Sequence, residues 1–158
     1  MNESAPQSRR RRSPTADQLR SWRVFIETAE QVRRTMESRL QDESGLSTGD
    51  YGVLLALSEA PNRRIRSSAL AEQVGWERSR LSHHLGRMEK RGLIGREECA
   101  TDSRGADVVL TQDGAVTFRR ASAPHLRAIQ ETFVDALTPA QLSAMEDAAL
   151  ALRSHLSA

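Results

Sequence analysis

Apolar residues near the start of the chain recur at intervals of three and four. They are Leu19, Trp22, Ile26, Ala29, Met36 and Leu40. This spacing predicts one apolar stripe on a helix over residues 15–41, which Gly45 ends. The helix is longer than a small core needs, so we expect part of its stripe to pack against something other than the chain's own core.

Three shorter helices follow, and capping and turn residues set their bounds. A second helix over residues 47–60 begins at Ser47, which is suited to cap it. A third lies at 67–74 and ends at Gly75, and a fourth extends over about 77–91. The pattern therefore predicts a cluster of short helices in the middle of the chain.

Two apolar runs after the fourth helix predict a hairpin. Leu93-Ile94 begins one strand, Val108-Val109-Leu110 forms its partner, and the polar segment 97–105 is the tip. The sequence thus predicts a mainly α protein. We expect a winged helix-turn-helix with a two-stranded β wing and long helices at the N- and C-terminal ends.

The last third of the chain predicts two long helices. Thr111 can cap a fifth helix that reaches Leu137, and Thr138 with Gln141 forms a capping box that opens a sixth, with Pro139 at its first position. The apolar positions of the sixth helix again follow at intervals of three and four. They are Leu142, Met145, Ala149, Leu152 and Leu156.

Composition bounds the class of protein. Glycine, proline and aromatic residues are few, which favours helices over a sandwich or barrel. Residues 1–14 contain four consecutive arginines at 9–12 and predict a disordered basic arm before a single domain at 15–158. No stretch approaches the length of a membrane span, and no apolar run follows the basic start. We therefore expect a cytoplasmic protein without a secretory signal or membrane contact.

The net charge of +2 is small, but its distribution is uneven. Residues 61–105 carry ten basic and six acidic side chains, whereas residues 121–158 carry two arginines and four acidic side chains. A basic middle favours a polyanionic partner for that region. A solvated charged surface is the alternative interpretation.

Residues 67–86 carry the strongest local signal. A helix-turn-helix unit needs a small residue where its helices cross, a turn that tolerates glycine, and an apolar residue that faces back from the second helix. Ala71, Gly75 and Leu81 provide these three features at suitable spacing.

The fourth helix has an apolar face and a basic face. The apolar face carries Leu81, Leu85 and Met88, and the basic face carries Arg80, His83, Arg87 and Arg91. Arginine can bond bidentately to guanine, and Ser79 and Ser82 can reach bases or phosphates near the helix start. A solvated basic face is again the alternative. His83 and its neighbour His84 point about a hundred degrees apart, so they suit a metal poorly, and we expect His84 to be a partly buried packing residue.

Residues 76–114 resemble the MarR family of bacterial transcription regulators. The motifs that carry the resemblance are Arg91-Gly92-Leu93-Ile94, Asp102-x-Arg104 and Leu110-Thr111-x-x-Gly114. The helix order agrees as well, so the resemblance extends over roughly residues 19–156. It implies a DNA-binding regulator whose fourth helix enters the major groove. It also implies that Arg104 enters the minor groove, where negative potential is concentrated, and that Asp102 supports the wing.

The resemblance further implies a homodimer. Helices at about 15–42 and 112–157 would form the dimer interface, and a winged lobe at about 47–111 would read each half of a pseudo-palindromic double-stranded operator. Such regulators often repress by occluding a promoter and are released by a small-molecule effector. Trp22, Tyr51 and His125 are candidates to line an effector cleft, and ordinary core or interface packing is the favoured alternative.

Two other functions stay open, and an enzyme is not expected. Cys99 is the only cysteine and suggests a thiol-responsive regulator, although Glu97 and Glu98 beside it would raise the pKa of its thiol and reduce its reactivity. A winged-helix protein-interaction module is the second alternative. We expect no cofactor and no metal, because the sequence lacks a phosphate-binding loop, metal-ligand spacing and any catalytic arrangement.

Overall fold

Six helices and three strands form the part of the chain that the computed structural model describes, residues 13–98 and 106–157. The helices are α1 (Ala16–Ser44), α2 (Thr48–Glu59), α3 (Ser67–Val74), α4 (Arg78–Lys90), α5 (Gln112–Ile129) and α6 (Pro139–Leu156). The strands are β1 (Arg64–Arg66), β2 (Ile94–Glu98) and β3 (Ala106–Leu110). All six predicted helices and both predicted strands are confirmed. None of the helices in this part of the chain combines the length and apolarity of a membrane span.

Side-chain caps set the helix boundaries where the sequence predicts them. The Ser47 hydroxyl accepts a hydrogen bond from the Asp50 amide at 3.1 Å, and the Asp50 carboxylate accepts one from the Ser47 amide at 3.0 Å. Thr138 and Gln141 form the same reciprocal pair at the start of α6. These bonds satisfy amides that the first helical turn leaves without a partner.

The sheet contains the predicted two-stranded wing and one further strand. It has three antiparallel strands in the order β1–β3–β2, with Ile65 opposite Val108 and Ile94 opposite Leu110. The sequence analysis missed β1 because its three residues include only one apolar side chain, too few for a period of two to be visible. The hairpin of β2 and β3 is the predicted wing, and β1 connects it to the start of α3.

The helices α1, α5 and α6 are the flanking helices, and the segment from α2 to β3 with its capping residues is the winged lobe (residues 47–111). One core joins α1 and α5 to the winged lobe. Its fully buried side chains are Leu46, Val53, Leu54, Leu57, Leu70, Leu81, Leu85, Met88, Ile94 and Val108. Leu40 from α1 and Ala115 and Ala121 from α5 extend the same core. The predicted core face of α4 is therefore confirmed.

The junction between the wing and α5 explains the motif Leu110-Thr111-x-x-Gly114. The Thr111 hydroxyl donates to the Gly92 carbonyl at 2.6 Å and accepts from the Gly114 amide at 2.9 Å. A Cβ atom on Gly114 would lie 1.9 Å from the Leu93 carbonyl oxygen, so no side chain fits at this position. The motif therefore lets α5 begin directly against β2.

The flanking helices differ from the winged lobe in what they bury. The first half of α1 exposes apolar side chains, among them Leu19, Trp22 and Ile26, and α6 buries none of its described side chains. The fifth helix, predicted to reach Leu137, is α-helical only to Ile129 and continues as a π-helical turn, Gln130–Val134.

Candidate nucleic-acid interface

The helix-turn-helix unit consists of α3, the turn at Gly75 and α4. Gly75 has a φ of 67°, a left-handed conformation that glycine adopts without strain, and Ala71 is buried where the two helices cross. With its apolar side in the core, α4 turns its other side to solvent. The five α4 residues predicted to contact DNA are all exposed there: Ser79, Arg80, Ser82, His83 and Arg87.

Arg80 lies over the ring of Trp76, with its guanidinium carbon 4.4 Å from the ring centroid. Trp76 in turn meets the buried imidazole of His84 edge-on, at 5.0 Å between centroids. A cation–π contact of this kind fixes a long side chain without neutralising its charge. Sequence reasoning gave Trp76 no role, although its spacing of four residues from Arg80 was a local signal that could have suggested the contact.

Arg87 is held by His84 within the same helix. Arg87 Nη2 lies 3.0 Å from His84 Nδ1, and His84 Nε2 lies 3.0 Å from a carboxylate oxygen of Asp50. A guanidinium can only donate hydrogen bonds, so Nδ1 must accept and the imidazole proton must reside on Nε2, towards Asp50. His84 is 8% exposed, which confirms it as a buried packing residue and adds a polar role.

Arg91 directly follows α4, and its exposed side chain is engaged with two acceptors rather than free on the basic face that the sequence predicts. Its Nη1 donates to Asp50 at 2.7 Å and its Nη2 donates to the Gly45 carbonyl at 2.9 Å. Helical periodicity placed the Cα correctly but could not give the direction of a long side chain at the helix end. Arg91 instead ties α4 to the connection between α1 and α2.

Asp50 is the buried centre of this network, and sequence reasoning missed it. Burial raises the pKa of its carboxyl, but hydrogen bonds from His84, Arg91 and the Ser47 backbone outweigh burial and hold the pKa well below its usual value. Asp50 is therefore ionised at neutral pH. The capping-box spacing Ser47-x-x-Asp50 was the signal in the sequence that could have singled it out.

Two arginines of the sheet hold the base of the wing in place. Arg96 on β2 donates to the Ser82 carbonyl of α4 at 2.8 Å. Arg64 on β1 bonds to Asp107 on β3 at 3.2 Å and contacts Glu97 on β2, so it ties the three strands together. The tip residues of the sequence analysis, Cys99, Asp102 and Arg104, lie outside the described residues.

The three candidate effector residues are not brought to one place. The rings of Tyr51 and His125 pack at 4.3 Å between centroids, and Phe118 packs on Tyr51 at 5.2 Å. Trp22 is 61% exposed on α1 and shares no ring contact in the described part of the chain. Burial lowers the pKa of His125, so this imidazole is neutral at neutral pH.

A cavity of about 430 Å³ lies beside the exposed face of α4. It separates α4 from α1 and from the start of α2, and its lining includes Arg33, Glu37, Thr48, Trp76, Arg80 and Arg87. Within residues 13–98 and 106–157, no group of histidine and acidic side chains is arranged to hold a metal ion. The guanidinium groups of this arrangement are suited to donating hydrogen bonds to an anion.

Comparison with known proteins identifies the family. Residues 44–105 match the MarR family. The fold superposes on the crystal structure of AbsC, a MarR family transcriptional regulator from Streptomyces coelicolor, with a TM-score of 0.86 and 35% identity over 92% of this chain and 98% of that one. Sco3205, a MarR family transcriptional regulator from the same organism solved in complex with DNA, gives a TM-score of 0.87 and 35% identity over 92% and 91%.

A third relative supports the same assignment. The transcriptional regulator HosA of Escherichia coli O127:H6 is 33% identical over 93 residues, which are 59% of this chain and 67% of that protein. The sequence resemblance is thereby confirmed, as is the expectation of a regulator rather than an enzyme. The chain belongs to the MarR family of transcriptional regulators.

Proposed function

We propose that the protein is a sequence-specific DNA-binding regulator that inserts α4 into the major groove of its operator. The observation that carries this proposal is the exposed basic face of α4. Within the described residues, Arg80 and Arg87 form no ion pair with a carboxylate; Arg80 rests on Trp76 and Arg87 on His84. Two positioned guanidinium groups without counter-ions suit guanine edges and phosphates. The DNA complex of the similar protein Sco3205 supports the same use of the fold.

The contacts divide into reading and positioning. In our proposal Arg80, His83 and Arg87 meet base edges, while Ser79 and Ser82, near the start of α4, reach bases or phosphates. Arg104 enters the minor groove from the wing tip, and Asp102 supports it there.

We also propose that two copies bind together as a homodimer. The flanking helices, at about 15–42 and 112–157, would form the interface, because the first half of α1 and the whole of α6 leave apolar side chains exposed in the described part of one chain. Two winged lobes, at about 47–111, would then read the two halves of a pseudo-palindromic operator.

The last part of the proposal is that the regulator represses by occluding a promoter and that a small-molecule effector releases it. Tyr51 and His125 join α2 of the winged lobe to α5, so a ligand that separated them would change the angle between the lobe and the flanking helices. Trp22 could reach such a ligand from the second copy. Small aromatic acids that displace the operator at constant salt would support release by an effector. A screen in which none of them displaces the operator would contradict it.

Fluorescence-anisotropy titration tests the DNA proposal. The probe is a duplex selected from a random pool by the wild-type protein, and a scrambled duplex of equal length and composition is the competitor. We expect the selected duplex to bind at least about 1000-fold more tightly than the scrambled one, and its affinity to fall as salt rises.

Three variants distinguish the contacts that read bases from those that position the protein on DNA. Arg87→Ala should lower the preference for the selected duplex about tenfold, whereas Arg104→Ala should weaken binding to both duplexes alike. Arg34→Ala, which removes an exposed charge on α1 that faces Glu30, is the matched control and should change neither. Equal weak binding of both duplexes would contradict a sequence-specific regulator. Absence of binding at low salt would favour the protein-interaction module.

A further inference from the structure

We propose that Asp50 and His84 are positioning residues that aim Arg87 at the operator, and that a proton on His84 releases Arg87 and lowers the selectivity of the protein for DNA. This inference rests on the proposed function. It adds that DNA selectivity is controlled through the contacts from Asp50 to His84 to Arg87, which we call the relay. The relay runs from the start of α2, through the inside of α4, to the exposed face of α4.

The polar contacts around His84 fix which ring nitrogen carries its proton. Asp50 is fixed as an anion by Arg91 at 2.7 Å and by the Ser47 amide at 3.0 Å. Its other carboxylate oxygen lies 3.0 Å from His84 Nε2 and so favours the tautomer that carries its proton there. That tautomer leaves Nδ1 as an acceptor for Arg87, 3.0 Å away.

Arg87 connects the exposed side of α4 to the buried ring of His84. Its backbone is on the exposed side of α4 while its guanidinium is tethered to a buried ring, so one end of a flexible side chain is fixed before DNA arrives. An arginine that is held in place loses less conformational entropy when it binds a base. The same atom of His84 that holds Arg87 is also the atom that would take up a proton.

Protonation of His84 would break its contact with Arg87. A proton on Nδ1 turns the acceptor into a donor and places a cation against the Arg87 guanidinium, which must then move away. Asp50 from α2 faces the other nitrogen, and Arg91 faces Asp50. The remaining charged or titratable groups around the adjoining cavity are Arg33 and Glu37 from α1 and Arg80 and His83 from α4.

Two substitutions of His84 separate positioning from packing. His84→Asn brings an amide oxygen close to the place of Nδ1, so Arg87 keeps an acceptor while Asp50 loses a partner. His84→Gln brings an amide close to the place of Nε2, so Asp50 keeps its partner while Arg87 loses its acceptor. A purely structural role of His84 predicts that the Gln variant resembles the wild type more closely, and the relay predicts the opposite.

The measured quantity is the ratio of affinities for the selected and the scrambled duplex at about pH 8, with circular dichroism melting as a check on folding. We expect His84→Asn to keep this ratio within about twofold, and His84→Gln to lower it about tenfold, as the loss of one base contact does. A ratio that is kept by the Gln variant and lost by the Asn variant would overturn the proposal.

A pH series on the same duplexes gives a second, independent result that does not require the Gln variant to fold. Between about pH 8 and about pH 5.5 the ratio should fall for the wild type and fall less steeply for His84→Asn. His83→Gln removes the exposed neighbouring histidine and one proposed base contact, so it should lower the ratio at both ends of the range and retain the fall between them. A wild-type ratio that is independent of pH would overturn the inference while leaving the proposed function intact, whereas a ratio near one at pH 8 would contradict the proposed function itself.

Discussion

The winged lobe and the flanking helices use similar apolar patterns in different ways. The lobe directs its leucines inward, and Leu54, Leu57 and Leu85 are completely buried within one chain. The flanking helices present a stripe of the same spacing to solvent, with Leu152 half exposed on α6 and Trp22 more than half exposed on α1. The proposed dimer requires this difference: the lobe buries its apolar residues within one copy, whereas the exposed apolar residues of α1 and α6 would be covered by a second copy.

We expect the largest effect from a substitution in the exposed apolar stripe of α6, which the second copy of the proposed dimer would cover. In Leu152→Glu, a charge would be buried in the interface of the proposed dimer, and two-fold symmetry would place it there twice. Loss of a buried leucine contact of about 1.5–3 kcal/mol on each side should weaken dimerisation by about two to four orders of magnitude. Sedimentation velocity over a concentration series measures this change. Ser154→Glu adds the same charge on another face of α6 and should leave the dimer intact; equal behaviour of the two variants would place the interface elsewhere.

The next effect tests the closed core of the winged lobe. Leu57 is fully buried on α2, whereas Leu55, two residues away on the same helix, is 38% exposed. Leu57→Ala should lower the free energy of unfolding by about 2–5 kcal/mol because it leaves a cavity. Leu55→Ala should lower it by less than about 1 kcal/mol. Urea denaturation compares the two, and similar losses would show that the lobe is not packed as described.

The smallest effect is at the junction of the two regions, where His125 of α5 packs on Tyr51 of α2. Burial lowers the pKa of His125 below its ordinary 6.5, so the folded state favours the neutral ring. The resulting stability is present above pH 6.5 and is lost as the pH falls below that value, because the unfolded chain takes up the proton more readily. Thermal melts between about pH 8 and pH 5 should show this loss in the wild type and a shallower one in His125→Phe. An unchanged slope in the variant would mean that other groups cause it.

Local features of the fold could be predicted from the sequence, and features that depend on distant residues could not. The caps at Ser47, Thr111 and Thr138 and the two faces of α4 depend on neighbours within one or two turns, so spacing alone predicts them. Strand β1 exists only because β3, more than forty residues later, pairs with it. No periodicity carries that information.

The same distinction applies to the candidate site. The exposure of Arg80 and Arg87 follows from helical spacing, and so does the nearness of His84 to Arg87, but the distant contacts that hold His84 and Arg91 do not. Asp50 reaches His84 across 34 positions of the chain, and the inward turn of Arg91 needs the carbonyl of Gly45. Such contacts become visible only when α2 and α4 are packed together.

One measurement tests the central claim, that the flanking helices join two winged lobes which read DNA together. The selected duplex is compared with a version in which one half-site is scrambled, and affinity and the number of chains bound are determined by anisotropy and analytical ultracentrifugation. The account predicts two chains on the intact duplex and a loss of affinity far greater than twofold when one half-site is removed. One chain on each duplex, with affinity lowered only about twofold by the loss of one of two equal sites, would show that each lobe acts alone and would contradict the account.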